Sequence, residues 1–118
     1  MNIFQKYGGM EFWRDILSDF YSRIASSEKI YHHFIGVDID NIKIMLVAML
    51  EITLGSEDNS YIDSLKEIHK DKGISHEEFD EWILIYTKTL KDVGISKLDI
   101  DHIVETTETF RAFIVSKN

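Results

Sequence analysis

The sequence predicts an all-α fold, and three observations support that prediction. Proline, the commonest helix breaker, is absent from all 118 residues. Apolar residues recur at every third or fourth position, which is the period of a helix face rather than of a strand. Hydrophobic residues make up 44% of the chain, enough to form a core. We therefore expect a single helical domain over residues 1–118.

The first long helix is predicted from a stripe of large apolar side chains. The stripe advances along one helical face and consists of Phe12, Trp13, Ile16, Leu17, Phe20, Tyr21 and Ile24. Polar residues between these positions fall on the other face. Gly8 and Gly9 precede the stripe and allow a sharp turn, and the pattern ends near Ala25.

A short helical stretch and a second long helix are predicted next. Residues 28–34 carry one or two turns before a corner at Gly36. Asp38 or Asp40 can cap the long helix through its carboxylate, and that helix runs to about Thr53. Its predicted buried face consists of Ile39, Ile42, Met45, Leu46, Met49, Leu50 and Thr53, broadened by Ile44, Val47 and Ile52.

A short helix and a third long helix follow a polar connection. Residues 62–70 are amphipathic and end before Gly73. Ser75 and Glu78 have the spacing of a capping box, in which the two side chains satisfy free amides at a helix start. The helix that begins there ends at Gly94, and its predicted face is Phe79, Trp82, Ile83, Tyr86, Leu90 and Val93.

The last predicted helix begins with a second capping pattern. Ser96 and Asp99 repeat the spacing of the first capping pair. The apolar residues of this helix are Leu98, Ile103, Val104, Thr107, Phe110, Phe113 and Ile114. We expect one continuous helix through them.

The acidic charge balance argues against partners that carry phosphate. The chain has 13 Lys and Arg residues against 21 Asp and Glu residues, a formal net charge of −8. Without a basic stripe we expect no nucleic-acid partner and no membrane partner. No apolar stretch approaches the ~20 residues of a membrane span. The N-terminal residues lack the order of a signal peptide, so a cytoplasmic protein is expected.

Recognisable enzyme motifs are absent, which leaves histidine as the main candidate for metal chemistry. The chain has no cysteine, so thiolate metal sites and cysteine nucleophiles are excluded. Four histidines are predicted to lie at the surface, namely His32, His33, His76 and His102. The first two are adjacent and are expected to diverge by about 100°. His69 differs because it follows Ile68 on the inward side of a short helix, where it is either a ligand or a core residue.

Short landmarks occur in a fixed order along the chain. They are Tyr7-Gly8-Gly9, Phe20-Tyr21, Phe34-x-Gly36, Leu54-Gly55, and His69-x3-Gly73-Ile74 followed by Phe79. This ordered set resembles the truncated haemoglobins, small globins with a two-over-two helical sandwich around haem. The resemblance covers nearly all of the chain, and its spacing is closest to the first group of that family.

The resemblance implies a haem b cofactor, iron protoporphyrin IX. His69 would be the proximal iron ligand through a neutral imidazole nitrogen, and the corner residue Phe34 would pack on the porphyrin. The apolar slot would be lined by Phe34, Ile42, Met45, Leu46, Leu65, Ile68, Ile74, Phe79 and Trp82. Lys43, Lys66 and Lys70 would lie near the propionates.

On the ligand side, Tyr21 takes the place of the tyrosine that donates a hydrogen bond to the diatomic ligand, the alternative being an ordinary core tyrosine. Family members often place a glutamine or another polar residue at the positions of Ile42 and Leu46, so the hydrogen-bond network is expected to be thinner here. Trp82, typical of another group of the family, would either supply a second donor or simply pack beside the haem. Met45 aligns with a residue that binds the sixth iron position in some relatives, but core packing is favoured.

The resemblance therefore implies a haem protein that binds O2, CO or nitric oxide reversibly, in oxygen binding or transport. Nitric oxide dioxygenation or a peroxidase side activity would extend this function, the former with an unidentified reductase. The opposing hypothesis is a haem-free globin-like interaction or regulatory module. A monomer or a weak dimer is expected.

Overall fold

The computed structural model describes residues 3–55 and 73–115, and the regular elements of that part are helical. They are α1 (Ile3–Lys6), α2 (Gly9–Ile24), a 3₁₀-helix (Tyr31–Phe34), α3 (Ile39–Gly55), α4 (His76–Asp92), α5 (Lys97–Glu108) and α6 (Arg111–Ile114). The all-α prediction is confirmed. Among the described helices, none has the length and apolar character needed to cross a membrane. The chain divides into two compact units, Met1–Asp58 and Asn59–Asn118.

Helix α1, in the first unit, was not expected from the sequence. Its only buried residue is Phe4, and the indole Nε1 of Trp13 donates a hydrogen bond of 2.9 Å to the Phe4 carbonyl oxygen. Both α1 and α2 pack against α3. A helix of four residues is too short to produce a periodic apolar pattern, so its presence could not be predicted from the sequence.

Helix α2 begins immediately after the two glycines, as predicted. Gly8 has a φ of 131°, and a Cβ there would lie 3.0 Å from the Cβ of Phe12, so glycine is required at this turn. The predicted stripe is buried from Trp13 to Ile24, while Phe12 is half-buried.

Helix α3 begins at Ile39, and Asp38 is its cap. The Asp38 carboxylate accepts a hydrogen bond of 3.2 Å from the amide of Asn41. Among the side chains of α3 that the structure describes, Val47, Leu50 and Leu54 are buried; the side chains of Met49, Ile52 and Thr53, also predicted to be buried, are outside that description. The predicted burial of Ile44 and Met45 is wrong, because these side chains are 65% and 46% exposed.

Helix α4, in the second unit, starts at the predicted capping box. The Glu78 amide donates to Ser75 Oγ at 3.1 Å, and the Ser75 amide donates to Glu78 Oε1 at 2.9 Å. Gly94 follows the end of the helix with a φ of 90°. The predicted burial of Val93 is wrong, because it stands past the last helical turn and is 39% exposed.

The last predicted helix is two helices, α5 and α6. At the break, the amides of Thr109 and Phe110 bond three residues back, to the carbonyl oxygens of Thr106 and Thr107. Threonine hydroxyls also bond to backbone carbonyls here, including Thr109 Oγ1 to the Thr106 oxygen at 2.6 Å. Such bonds compete with the helical ladder and bend it. Ser96 caps α5 as predicted, but Leu98 is 80% exposed.

Candidate functional site

Tyr21 and Phe34, both predicted site residues, contact each other in the first unit. Tyr21 belongs to the buried face of α2 and is 7% exposed. The 3₁₀-helix brings the Phe34 ring to 5.6 Å from the Tyr21 ring, at an interplanar angle of 68°. Phe20 contacts the same tyrosine at 5.1 Å. These two edge-to-face contacts restrict the orientation of the phenol ring.

Three predicted cofactor contacts lie together on one side of α3, which we call the α3 flank: Ile42, Met45 and Leu46. At about 100° per residue, Leu46 lies beside the buried stripe of α3, and Ile42 and Met45 lie further around the helix. Ile42 and Leu46 are half-buried, and Met45 is 46% exposed. The folded chain therefore leaves apolar surface on this flank that a flat apolar group can cover. These residues fit haem.

The Met45 thioether does not fill the core, so the prediction that it is core packing is wrong. The side-chain nitrogen of Asn41 lies 3.8 Å from the Met45 sulfur, one helical turn away. The physical reason is the helical period, which turns Met45 away from Val47 and Leu50.

Lys43 forms an ion pair and a hydrogen bond within the first unit. Its Nζ lies 3.2 Å from Asp40 Oδ1 and 3.4 Å from Ser18 Oγ. The side chain is 21% exposed. To contact a propionate, the ammonium would have to leave both of these groups.

In the second unit, three aromatic rings of α4 form a continuous row, which we call the α4 ring row. The rings of Phe79 and Trp82 are stacked at 6.3 Å with an interplanar angle of 17°. Trp82 and Tyr86 follow at 5.0 Å and 50°. Phe79 and Tyr86 are buried, whereas Trp82 is half-buried. Burial raises the pKa of Tyr86, so its hydroxyl stays protonated.

Tyr86 and Arg111 are parts of this arrangement that the sequence interpretation did not single out. Tyr86 lies four residues after Trp82, and that spacing alone places the two rings on one helix face. Arg111 lies over the Phe79 ring, with Cζ 4.6 Å from the ring centroid. No local pattern indicates that contact, because it depends on the fold of the second unit.

Several predicted site residues lie outside the described part of the chain. They are His69, Leu65, Ile68, Lys66 and Lys70. Ile74 is described and is half-buried next to the α4 cap. The iron ligand accordingly stays a prediction.

Two of the surface histidines differ from expectation. His32 and His33 belong to the 3₁₀-helix, and their rings lie 4.1 Å apart. The expected divergence of the two side chains is wrong, because the two rings are in contact. His102 is exposed, and His76 Nδ1 lies 3.3 Å from an Arg111 nitrogen.

Comparison with known proteins identifies globins as relatives of this chain. The family profile described as bacterial-like globin matches residues 2–116. The chain is 24% identical over 115 residues to a group 1 truncated hemoglobin of Tetrahymena pyriformis, covering 98% of this chain and 95% of that protein. A group 1 truncated hemoglobin of Tetrahymena thermophila is 23% identical with the same coverage.

Solved structures show the same fold. The truncated hemoglobin of Tetrahymena pyriformis in its Fe(III) form has a TM-score of 0.86, at 24% identity and with coverage of 99% of this chain and 100% of that one. Variants of that protein with a tyrosine changed to phenylalanine, or either of two glutamines changed to glutamate, have also been solved. The 2/2 hemoglobin from Synechococcus sp. PCC 7002, with covalently attached heme, has a TM-score of 0.81 at 18% identity, covering 96% of this chain and 95% of that one.

Proposed function

Since the chain belongs to the bacterial-like globin family, we propose that it is a haem protein that reversibly binds O2 and other diatomic ligands. The observation that carries the proposal is the α3 flank. Three apolar side chains in sequence positions 42 to 46 remain partly uncovered in the folded chain. Covering them with an apolar group lowers the free energy of the folded protein by about 25 cal/mol for each Å² removed from water.

The residues of the chain have distinct proposed roles toward the cofactor. Haem b supplies an iron atom that binds diatomic ligands, and the neutral imidazole of His69 is the proposed protein ligand of that iron. Phe34 and the α3 flank are proposed to contact the porphyrin. Leu65, Ile68, Ile74, Phe79 and Trp82 are the other proposed contacts, with Lys43 as a propionate contact.

Tyr21 is the proposed hydrogen-bond donor to the bound ligand. In the Tetrahymena pyriformis protein, the varied tyrosine and the first varied glutamine are twenty-one residues apart, and the two glutamines are four apart. Tyr21, Ile42 and Leu46 have the same separations here. The two apolar side chains offer no hydrogen bond to the ligand, so the hydroxyl of Tyr21 carries more of the ligand stabilisation, with the Trp82 indole as the proposed second donor.

The physiological setting proposed for this activity is the cytoplasm. O2, CO and nitric oxide are the proposed ligands. If the protein turns over nitric oxide, it needs a separate electron donor, which we propose to be a reductase.

Absorption spectroscopy tests the proposal directly. The protein is loaded with one equivalent of hemin, and spectra are recorded for the Fe(III) form, for the Fe(II) form and after addition of CO. We expect stoichiometric binding, a sharp Soret band and a shift of that band with CO. Failure of the purified chain to bind hemin stoichiometrically would favour the haem-free interaction module instead.

A pair of variants on α3 locates the binding surface. Met45→Asp places a charge on the α3 flank and should weaken hemin binding at least tenfold, because a carboxylate is poorly solvated against a porphyrin. Ile44→Asp is the matched control, since Ile44 is the adjacent residue, is more exposed and lies off the flank. Equal hemin affinity in the two variants would contradict the role of the flank.

A further inference from the structure

The side chain of Arg111 joins three parts of the second unit. Its Nε and Nη2 atoms donate to the Glu108 carboxylate at 2.9 and 3.0 Å, and Nη2 also donates to Asp80 of α4. Another nitrogen lies 3.4 Å from the His76 carbonyl oxygen. The side chain is 23% exposed. This fork of bonds fixes the guanidinium plane far better than a single surface ion pair does.

The fixed guanidinium covers the end of the α4 ring row. Its Cζ atom lies 4.6 Å from the centroid of the Phe79 ring, within the range of a cation–π contact. The hydrogen bonds that Arg111 donates to the Glu108 carboxylate raise the Arg111 pKa further above its already high ordinary value, so the cation is permanent. Phe79 is 3% exposed and has Arg111 over its ring.

Trp82 is the least buried member of the α4 ring row. Its indole stacks on Phe79 and contacts Tyr86. Phe79 in turn lies under the Arg111 guanidinium, so a line of contacts runs from Arg111 through Phe79 to the indole. The geometry points to Arg111 as a positioning residue that holds Phe79 in place and thereby fixes the orientation of the Trp82 indole. The consequence for ligand binding rests on the proposed function, because it requires that Trp82 act on the ligand.

The orientation of Trp82 is measured first in the haem-free protein. A Trp13→Phe background leaves Trp82 as the single tryptophan. In that background Arg111→Met, which keeps the side-chain length but removes the charge and the planar fork, should reduce the near-ultraviolet circular dichroism of Trp82 at least twofold. Arg111→Lys should give an intermediate loss, because an ammonium keeps the charge without the bidentate geometry.

The control for this measurement is Arg23→Met. Arg23 forms a bidentate pair with Asp19 at 3.2 and 3.3 Å in the first unit, and its loss should leave the Trp82 signal unchanged. Far-ultraviolet dichroism checks that each variant is folded, and Arg111→Lys provides the test if Arg111→Met does not fold. A Trp82 signal unchanged in the folded Arg111 variants overturns the proposal.

A double-mutant cycle measures the functional consequence. The O2 dissociation rate is compared for the unaltered haem-loaded chain, Arg111→Met, Trp82→Phe and the double variant. Arg111→Met should change the rate at least threefold on its own and have no effect in the Trp82→Phe background. An equal effect of Arg111→Met in both backgrounds overturns the proposal. If Trp82→Phe alone leaves the rate unchanged, the ligand role of Trp82 fails, and the spectrum of the haem-free protein still decides the role of Arg111.

Discussion

At the scale of single residues, Tyr21 is a polar side chain whose ring is held by apolar neighbours. Phe20 and Phe34 both contact the ring edge-to-face, and the residue is 7% exposed. A hydroxyl in such surroundings forms a strong hydrogen bond with a partly anionic partner, because the local dielectric constant is low. The chemistry proposed for Tyr21 therefore depends on its burial as much as on its residue type.

The first prediction concerns removal of that hydroxyl. Tyr21→Phe keeps the ring and its packing but removes a donor worth on the order of 1.5–3 kcal/mol. The O2 dissociation rate of the haem-loaded protein should rise roughly tenfold or more in stopped-flow measurements. Tyr31→Phe is the control, since Tyr31 is 46% exposed, and it should leave the rate unchanged. An unaltered rate in Tyr21→Phe would transfer the donor role to Trp82.

The second prediction concerns the iron ligand. His69→Ala should abolish stable haem retention, or leave a protein whose haem binding is rescued by added imidazole. The physical reason is that the iron loses its proximal ligand and the chain has no cysteine to replace it. Haem content and the Fe(II) absorption spectrum report the result. His102→Ala removes an exposed histidine and should retain haem normally. Unchanged haem content in His69→Ala would refute the assignment.

The third prediction concerns the sixth position of the iron. Ile42 and Leu46 offer no coordinating atom, and a neutral tyrosine hydroxyl binds Fe(II) poorly, so the Fe(II) protein should be five-coordinate. Its absorption spectrum should be high-spin, with fast CO binding. The exposed Met45 thioether is the main competitor. A low-spin spectrum that becomes high-spin in Met45→Leu would make methionine the ligand, and one that persists would point to another residue, such as Lys43.

At the scale of the elements, α3 has two apolar sides with different roles. Val47, Leu50 and Leu54 are buried in the first unit, while the α3 flank retains exposed apolar surface. A helix that is apolar around most of its circumference must cover more than one side. The second side of α3 is the one that the proposed function assigns to haem.

The fourth prediction uses two methionines as probes of that side. Met45 and Met10 are 46% and 49% exposed, so a mild methionine oxidant such as chloramine-T should convert both to sulfoxide at similar rates in the haem-free protein. Haem should slow oxidation of Met45 at least fivefold and leave Met10 unaffected. Mass spectrometry of peptides measures both rates. If haem slows the oxidation of both methionines equally, or of neither, the result would argue against haem on the α3 flank.

At the scale of the whole molecule, the described residues separate into two compact units, whereas one family profile spans residues 2–116. The expectation of a single domain over residues 1–118 stays a prediction. Each unit contains one tryptophan. Trp13 is buried in the first unit, and Trp82 belongs to the α4 ring row of the second. The two indoles can therefore report separately on the unfolding of the two units.

The fifth prediction is that both units unfold together. Trp13→Phe leaves Trp82 as the reporter and Trp82→Phe leaves Trp13. In each variant, the urea midpoint measured by tryptophan fluorescence should coincide with the midpoint measured by far-ultraviolet circular dichroism, as in a two-state transition. Fluorescence and dichroism midpoints that differ within one variant would indicate two domains.

The sequence by itself determined the local features of this protein. The buried stripe of α2, the cap at Ser75 and the glycine that precedes α2 follow from residues close to one another in the chain. For α3 the sequence left both Asp38 and Asp40 open as the cap, and the structure selects Asp38. Helical period and capping chemistry are local, so these features need no knowledge of the rest of the chain. The order of landmarks along the chain likewise indicates the globin family without reference to any tertiary contact.

The tertiary structure alone decided which apolar side chains are covered. Met45 and Leu98 have the sequence pattern of buried residues and are exposed, because burial depends on whether another element packs against that side of the helix. The contact of Arg111 with Phe79 joins residues thirty-two positions apart, and no local period indicates it. Propensity and capping act along the chain, whereas coverage and charge pairing act through space, which is why only the folded chain reveals the α3 flank and the support of the α4 ring row.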